Sequence, residues 1–296
     1  MQKITPFLWY NNRAEEDVKF YTTPFSNSKI NFTTRYNEAS AKASGQENGS
    51  VMTLSFRLNG QEFVSINGGP YFTFTPAISL FVNCSTEQET DELWKKLSQG
   101  GTILMELKNY PFSQKFGWLQ DKFGLSWQIN FAGSEQMIIP FLMFNGNQYA
   151  RAEEAINFYT SLFNNSGIDN LIRYPSDNQS AGSVMHAAFK FNGQQFMAID
   201  SNFEHNFTFT EAFSFVVNCD SQDEIDFFWN KLSEGGDENA QQCGWLKDKY
   251  GVSWQIVPSL LGKLLNNTDA AKAKSVMQVV LKMKKLDLNI LLEAAR

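Results

Sequence analysis

The chain has 296 residues, of which 43% are hydrophobic and 15% aromatic, and its formal net charge is −6 at pH 7. This size and composition are typical of a soluble globular protein with two ordinary domains, and no apolar run approaches the ~18–20 residues that span a bilayer. The acidic balance argues against nucleic acid as a partner, because the basic cluster of Lys282, Lys284 and Lys285 is expected on the solvated face of a helix.

The cysteine pattern and the N-terminal residues indicate the cellular compartment of the protein. Cys84, Cys219 and Cys243 are odd in number and have no C-x-x-C spacing, which argues against a disulfide framework and a zinc knuckle. Because the N-terminus has no apolar signal region, we predict a cytoplasmic protein without a membrane partner.

The first predicted elements are an apolar strand at Ile4–Tyr10 and an amphipathic helix at residues 14–25. Three strands follow, at residues 30–36, 51–58 and 63–66. Asn59-Gly60 lies between the last two strands and is a hairpin signal. The order is therefore β-α-β-β-β.

A second unit of similar order begins with the strand Ile78–Cys84. Residues 85–88 fit a capping box that opens a helix, which Gly100-Gly101 ends. Residues 117–129 read as two strands joined by a turn at residues 121–124.

The whole pattern occurs twice, because residues 117–129 return at residues 244–256 with ten of thirteen positions identical. We predict a first domain at residues 1–132, a linker at 133–136, a second domain at 137–258 and a C-terminal helical tail at 259–296. The tail is either a partner-binding helix or a helix docked on the second domain.

The Pro-Phe-Leu strand, the Ala-Glu-Glu helix, the Asn-Cys strand end and the Gly-Trp-Leu-Lys-Asp-Lys-Tyr-Gly-Val-Ser-Trp-Gln-Ile motif together resemble the PhnB-like branch of the glyoxalase/bleomycin-resistance (vicinal oxygen chelate) superfamily. The resemblance covers residues 4–258. It implies an α+β fold with two glyoxalase-like domains, each built of paired β-α-β-β-β modules that form a curled mixed sheet with a cup. We expect each repeat to close its own cup, and the two repeats to pack as an intramolecular pseudo-dimer in a chain that could be monomeric.

Members of this branch are often labelled 3-demethylubiquinone-9 3-methyltransferase. The sequence has no Gly-rich strand-to-helix turn of the kind a methyltransferase cofactor usually needs. Metal-dependent enzymes of the superfamily hold an ion with four His, Gln or Glu side chains, and the matching stretches here offer Gln128 and Gln255 alone. A divalent ion needs several converging donors. We therefore expect no cofactor and no metal site, although the sequence leaves a divalent metal open.

The tryptophans that flank each terminal hairpin are candidates for ligand binding, with one of each pair expected in the core and the other in the cup. Glutamine and cysteine side chains nearby complete the set. The predicted ligand-binding residues are Trp118, Trp127, Gln128, Cys243, Trp245, Trp254 and Gln255.

The repeats differ at two ionisable positions. His186 stands where the first repeat has Thr53, and Asp200 stands where it has Asn67. An imidazole oriented by a carboxylate can act as a general base near neutral pH, so His186 and Asp200 are the candidate catalytic residues. The alternative is that His186 is a half-buried strand residue and Asp200 starts a turn.

Three functions remain open. The first is binding of a small organic molecule in an aromatic-lined cup. The second is an isomerase, lyase or dioxygenase-like enzyme, with the second domain active through His186 and Asp200. The third is a structural duplicate with filled cups.

Overall fold

The computed structural model describes residues 2–296 and shows four β-α-β-β-β modules followed by a helical tail. The first module consists of β1 (Ile4–Tyr10), α1 (Ala14–Tyr21), β2 (Lys29–Arg35), an additional helix α2 (Glu38–Ser44), β3 (Val51–Leu58) and β4 (Gln61–Asn67). The second consists of β5 (Ile78–Cys84), α3 (Glu87–Leu97), β6 (Thr102–Tyr110), β7 (Ser113–Gln120) and β8 (Ser126–Phe131).

The second repeat supplies the other two modules. The third consists of β9 (Met137–Phe144), a 3-10 turn at Gly146–Gln148, α4 (Ala152–Leu162), β10 (Gly167–Arg173), β11 (Val184–Phe191) and β12 (Gln194–Asp200). The fourth consists of β13 (Phe213–Cys219), α5 (Gln222–Ser233), β14 (Asp237–Gln242), β15 (Trp245–Lys247) and β16 (Ser253–Pro258). The tail contains α6 (Leu261–Leu265), α7 (Ala270–Val280) and α8 (Leu288–Ala294).

Local sequence signals explain several of these bounds. Asn59 and Gly60 both have positive φ, 46° and 83°, as the two central residues of a type I′ hairpin turn require. The predicted first helix is too long, since α1 ends at Tyr21. Thr23 precedes Pro24, and the residue before a proline is disfavoured in the helical region.

The strands form two sheets of eight, and each sheet draws on both repeats. Sheet A has the order β14-β15-β16-β13-β1-β4-β3-β2, and sheet B has the order β10-β11-β12-β9-β5-β8-β7-β6. The repeats join where β1 pairs antiparallel with β13 and where β5 pairs antiparallel with β9. The predicted α+β class of paired modules and mixed sheets is confirmed.

One expectation about the sheets is wrong. Each cup was expected within a single repeat, but sheet A combines the first and fourth modules and sheet B combines the second and third. The two repeats are related symmetrically at the join, where Thr75 Oγ1 donates to the Thr208 carbonyl and Thr210 Oγ1 donates to the Thr73 carbonyl, both over 2.7 Å.

Each repeat nevertheless has a helix that connects one sheet to the other. Helix α1 packs on β3 and β4 of sheet A, while its Tyr21 ring lies 5.3 Å from the Trp127 ring of sheet B. The equivalent Tyr159 of α4 lies 5.3 Å from Trp254. The main apolar core is therefore formed by these helices and the sheet faces on which they pack. Within residues 2–296, none of the helices is long and apolar enough to cross a membrane.

Candidate functional site

The opposite, concave face of sheet A lines a cavity of about 1020 Å³. Its floor includes Thr5, Phe7 and Trp9 on β1, Trp245 on β15 and Gln255 on β16. Because β1 belongs to the first repeat and β16 to the second, the cavity exists only where the repeats meet. We call it the sheet A chamber.

Aromatic rings from both repeats form one wall of the chamber. Trp245 meets Phe7 at a centroid distance of 5.4 Å and Trp9 at 6.0 Å, both edge to face. Phe72 lies 5.0 Å from Trp9. A Cβ atom added at Gly68 would come within 2.2 Å of the Trp9 ring, so any larger residue at this position would clash with the indole. The Trp9 Nε1 donates to the Gly69 carbonyl over 2.9 Å, which fixes the orientation of the ring.

Polar groups on the floor are mostly paired with one another. Gln255 Nε2 donates to Ser214 Oγ over 3.0 Å, and among residues 2–296 no hydrogen bond engages its Oε1. Asn218 Nδ2 donates to the Gln2 carbonyl over 2.8 Å. The carboxylate of Glu62 forms an ion pair with Arg57 at 2.5 Å, so its charge is compensated. Gln255 Oε1 is thus an acceptor that a ligand can use.

The C-terminal tail covers the chamber with apolar side chains. Met277 of α7 packs with Tyr36, Ala41 and Met52 of the first repeat, whereas Val276 and Val280 pack beside Cys243 of the second. The other large apolar side chains of the tail that line the chamber are Leu261, Leu265 and Leu281. The tail therefore docks on both repeats, and not on the second domain alone as one of the two interpretations held.

Two kinds of polar contact hold the tail in place. The backbone N–H groups of Cys243 and Gly244 donate to the carbonyls of Met283 and Lys284 over 2.7 and 2.8 Å. Ion pairs of 2.5 Å join Lys274 to Glu38 of α2 and Lys285 to Asp226 of α5.

Three of the predicted ligand-binding residues, Cys243, Trp245 and Gln255, line the chamber. Two others occupy the equivalent positions of sheet B, where Trp118 Nε1 donates to Ser126 Oγ over 2.9 Å and Gln128 Nε2 donates to Ser79 Oγ over 2.7 Å. A ligand-binding role for these five residues stays a prediction.

The remaining two candidates, Trp127 and Trp254, are core residues with exposed fractions of 0% and 1%. Their indole N–H groups donate to the carboxylates of Asp121 and Asp248, each over 2.8 Å. Tyr21 and Tyr159 donate to the same two carboxylates over 2.6 and 2.7 Å. The prediction that these tryptophans bind ligand is therefore corrected.

The same hydrogen bonds explain why residues 117–129 and 244–256 are so similar. The second oxygen of Asp248 accepts the backbone N–H groups of Tyr250 and Val252 over 2.9 and 3.0 Å. Burial outweighs these four donors and raises the pKa of Asp248 to about 6. These hydrogen bonds build a tight turn and join it to a helix, whereas Trp245 and Gln255 of the same motif face the chamber.

The structure does not orient His186 with Asp200. The carboxylate of Asp200 accepts the N–H of Ala152 over 3.1 Å and that of Val184 over 2.8 Å, and no hydrogen bond within residues 2–296 joins it to His186. Asp200 therefore caps the start of α4, as Asn67 does for Ala14 over 2.8 Å. The expected imidazole–carboxylate pair is wrong, and a catalytic role for either residue stays a prediction.

Burial shifts both groups away from their charged forms. It lowers the pKa of His186 and raises the pKa of Asp200. His186 pairs with Ile172 in sheet B and is half-buried. Burial also raises the pKa of the Cys243 thiol, which disfavours the reactive thiolate at neutral pH.

The side chains on the inner strands do not fit a divalent metal ion. Gln128 and Gln255 each use an amide N–H on a serine. The side chains that share the chamber with Gln255 are mainly aromatic, aliphatic, hydroxyl and amide groups, and its one carboxylate, Glu62, is paired with Arg57. Within residues 2–296, no group of three or more His, Cys, Asp or Glu side chains is placed to hold a metal. A metal site would need several hard or imidazole donors at one point.

The paired modules and mixed eight-stranded sheets define a glyoxalase-like protein of the vicinal oxygen chelate fold. Maize glyoxalase I shares this fold with a TM-score of 0.54 and 11% identity, over 90% of this chain and 95% of the maize chain. A mutant form of the maize enzyme aligns with a TM-score of 0.55 and 12% identity, over 86% of this chain and 91% of the other.

The chain belongs to the PhnB-like family described as 3-demethylubiquinone-9 3-methyltransferase, whose family model matches residues 2–130 and 136–257. A PhnB protein of Bacillus cereus is 50% identical over 44% of this chain and 100% of its own, with a TM-score of 0.41. No curated protein sequence matches the chain.

Sequence reasoning did not identify several residues of the chamber, chiefly Trp9, Phe72 and Asn218. Trp9 follows Phe7 at a spacing of two, which places both rings on one face of β1. That spacing was a usable signal. No local sequence pattern indicated that the tail lines the chamber, because this arrangement depends on packing between distant segments.

Proposed function

We propose that the chain binds one uncharged, planar and largely apolar small molecule in the sheet A chamber. The observation that carries this proposal is the cavity of about 1020 Å³ on which Trp9 and Trp245, one from each repeat, present their rings. Ligand pockets are typically mostly apolar clefts of this order with a few placed polar groups.

The lining supports this class of ligand. Flat rings stack on or meet the edges of aromatic side chains, which favours a planar molecule beside Phe7, Trp9 and Trp245. Within residues 2–296, Glu62 is the one charged residue that lines the chamber, and Arg57 compensates its negative charge. A charged ligand would therefore lose its hydration without gaining a partner, whereas a hydroxyl or amide N–H could donate to Gln255 Oε1.

The methyltransferase description of the family is a name, and the fold does not favour that chemistry. Within residues 2–296, no Gly-rich strand-to-helix turn follows a parallel strand in the way that nucleotide-type cofactors usually require. Enzymatic activity through His186 and Asp200 remains the alternative. The Asp200 carboxylate, however, already accepts hydrogen bonds from the backbone N–H groups of α4 and β11.

The test uses three probes of one shape and different charge: 1-naphthol, 1-naphthoate and 1-naphthylmethylammonium. Titration calorimetry and quenching of tryptophan fluorescence should show one naphthol bound per chain, with either charged probe at least about tenfold weaker, a cost of ~1.4 kcal/mol or more. Tightest binding of a charged probe, or no binding of any probe, would contradict the proposal. Elemental analysis of the same sample should show no stoichiometric metal.

A further inference from the structure

The two repeats permit a comparison of the concave faces position by position. In sheet A, Val216 of β13 pairs with Thr5 of β1. In sheet B, the equivalent Phe81 of β5 pairs with Ile139 of β9. Cys243 and Phe116 are equivalent in sequence, because each lies two residues before the tryptophan of the terminal motif. Phe116 lies within β7, whereas Cys243 lies in the turn between β14 and β15, with a φ of 55°.

Phenylalanine rings occupy these positions in sheet B. The ring of Phe81 lies 6.2 Å from Phe116 and 6.1 Å from Phe141, which is the equivalent of Phe7. Phe116 also meets Phe112 at 5.2 Å and Tyr110 at 6.0 Å. Phe116 and Phe141 are each 5% exposed, so the rings fill the centre of this face.

Of the three rings of Phe81, Phe116 and Phe141, sheet A lacks the first two. Val216 and Cys243 replace them, and both line the chamber. The ring of Phe141 has its equivalent in Phe7, which lies against Trp245. Atoms that face an unfilled space lack packing partners, and a bound ligand of the size of the missing rings would supply them.

We infer that Val216 and Cys243 open the sheet A chamber and set the size of its ligand, whereas Phe81 and Phe116 close the equivalent face of sheet B. This inference rests on the proposed binding function and makes it specific: one ligand binds per pair of repeats. The missing ring space is adjacent to Phe7 and Trp245, so the planar part of the ligand occupies it.

The test exchanges these residues between the sheets. V216F/C243F should weaken 1-naphthol binding at least about 100-fold, a loss of ~2.7 kcal/mol or more, because the two rings then occupy the space of the ligand. F81V/F116C should retain the original site and add a second, so that the calorimetric stoichiometry rises from one to two. Unchanged affinity in V216F/C243F, or a stoichiometry of one in F81V/F116C, would overturn the inference. Should either double variant fail to fold, the four single variants are compared in its place, and each should show the same change to a smaller degree.

Crystal structures of the variants without added probe separate this inference from the proposed function. They should show the sheet A cavity filled in V216F/C243F and a new cavity in sheet B in F81V/F116C. If the cavities change in this way while the wild-type chain binds no probe, the proposed function is wrong and the assignment of the size-setting residues holds. If the cavities do not change, the assignment itself is wrong.

Discussion

The indole rings of Trp9 and Trp245, one from each repeat, meet edge to face with their centroids 6.0 Å apart. Neither repeat alone can form this contact, because β1 and β15 reach the same sheet only through the pairing of β1 with β13. A ligand in the chamber would therefore contact both halves of the chain at once.

Replacing either indole should weaken binding. We expect Trp9→Ala and Trp245→Ala each to reduce the affinity for 1-naphthol about tenfold or more, because an aromatic contact contributes ~0.5–1.5 kcal/mol beyond the area it buries. Titration calorimetry measures the change. Trp118→Ala is the matched control, since Trp118 lies at the equivalent position of sheet B. Equal losses in all three variants would refute the assignment of the site to sheet A.

The tail should control how fast a ligand leaves. A chain ending at Pro258 lacks Met277 and Val280, which line the chamber, and we expect it to release 1-naphthol faster in stopped-flow fluorescence. Because the truncation also removes apolar contacts, its stability must be measured alongside.

A milder test of the tail uses the ion pair between Lys274 and Glu38. K274E places like charges together and should speed release about two- to threefold, a small effect because the pair is exposed to solvent. The charge-reversed double variant K274E/E38K should restore the slow rate. Release that is the same in the truncated and full chains would show that the tail does not act as a cover.

Burial of Asp248 should make stability depend on pH in a defined direction. Its pKa rises from the ordinary 3.8 to about 6 on folding, so the folded chain binds more protons than the unfolded chain within that window. The contribution of this carboxyl to the free energy of unfolding is fully present below pH 4. It is lost as the pH rises through 6, by roughly 3 kcal/mol at most. Denaturant unfolding across this range should show wild type losing stability relative to Asp248→Asn.

The equivalent carboxylate provides a parallel test of that pH dependence. Burial raises the pKa of Asp121 too, so Asp121→Asn should differ from wild type with the same sign. Parallel stability curves for wild type and both variants would show that neither aspartate titrates in this window.

Asp200 should matter for stability and not for binding. Asp200→Ala leaves the N–H groups of Ala152 and Val184 without their acceptor, and we expect a loss of roughly 2 kcal/mol or more in the free energy of unfolding. Affinity for 1-naphthol should be unchanged, and His186→Ala should alter neither quantity. A substrate whose turnover His186→Ala abolishes, in a chain of normal stability, would instead support the enzymatic alternative.

Local patterns predicted some elements well. The alternation within Val51–Leu58 and the Asn59-Gly60 turn gave the bounds of β3 and its pairing with β4, because a two-residue hairpin fixes the register of its strands. The helix α2 was missed because residues 38–44 are mostly small and polar, with no apolar periodicity. Its stability comes from capping by Asn37 and from packing against the tail.

The partner of β1 could not be predicted for a different reason. Strands β5 and β13 both end in Asn-Cys and have nearly the same apolar pattern, so either offers β1 a similar edge. The choice between them depends on the global arrangement of the modules. Since the chamber arises from that choice, the sequence indicated aromatic side chains as candidates for ligand binding but could not show that Trp9 and Trp245 meet.

The pairing of Ile4 with Val217 joins the first strand of the chain to one that is synthesised far later. Contacts between such distant residues are slow to form, because closing the intervening loop costs entropy before the contact stabilises the fold. During translation, the edge of β1 that pairs with β13 therefore stays uncovered until the fourth module has emerged from the ribosome. The uncovered edge of β1 can pair with other chains in that interval, and the sheet A chamber receives its cover only after the tail has docked.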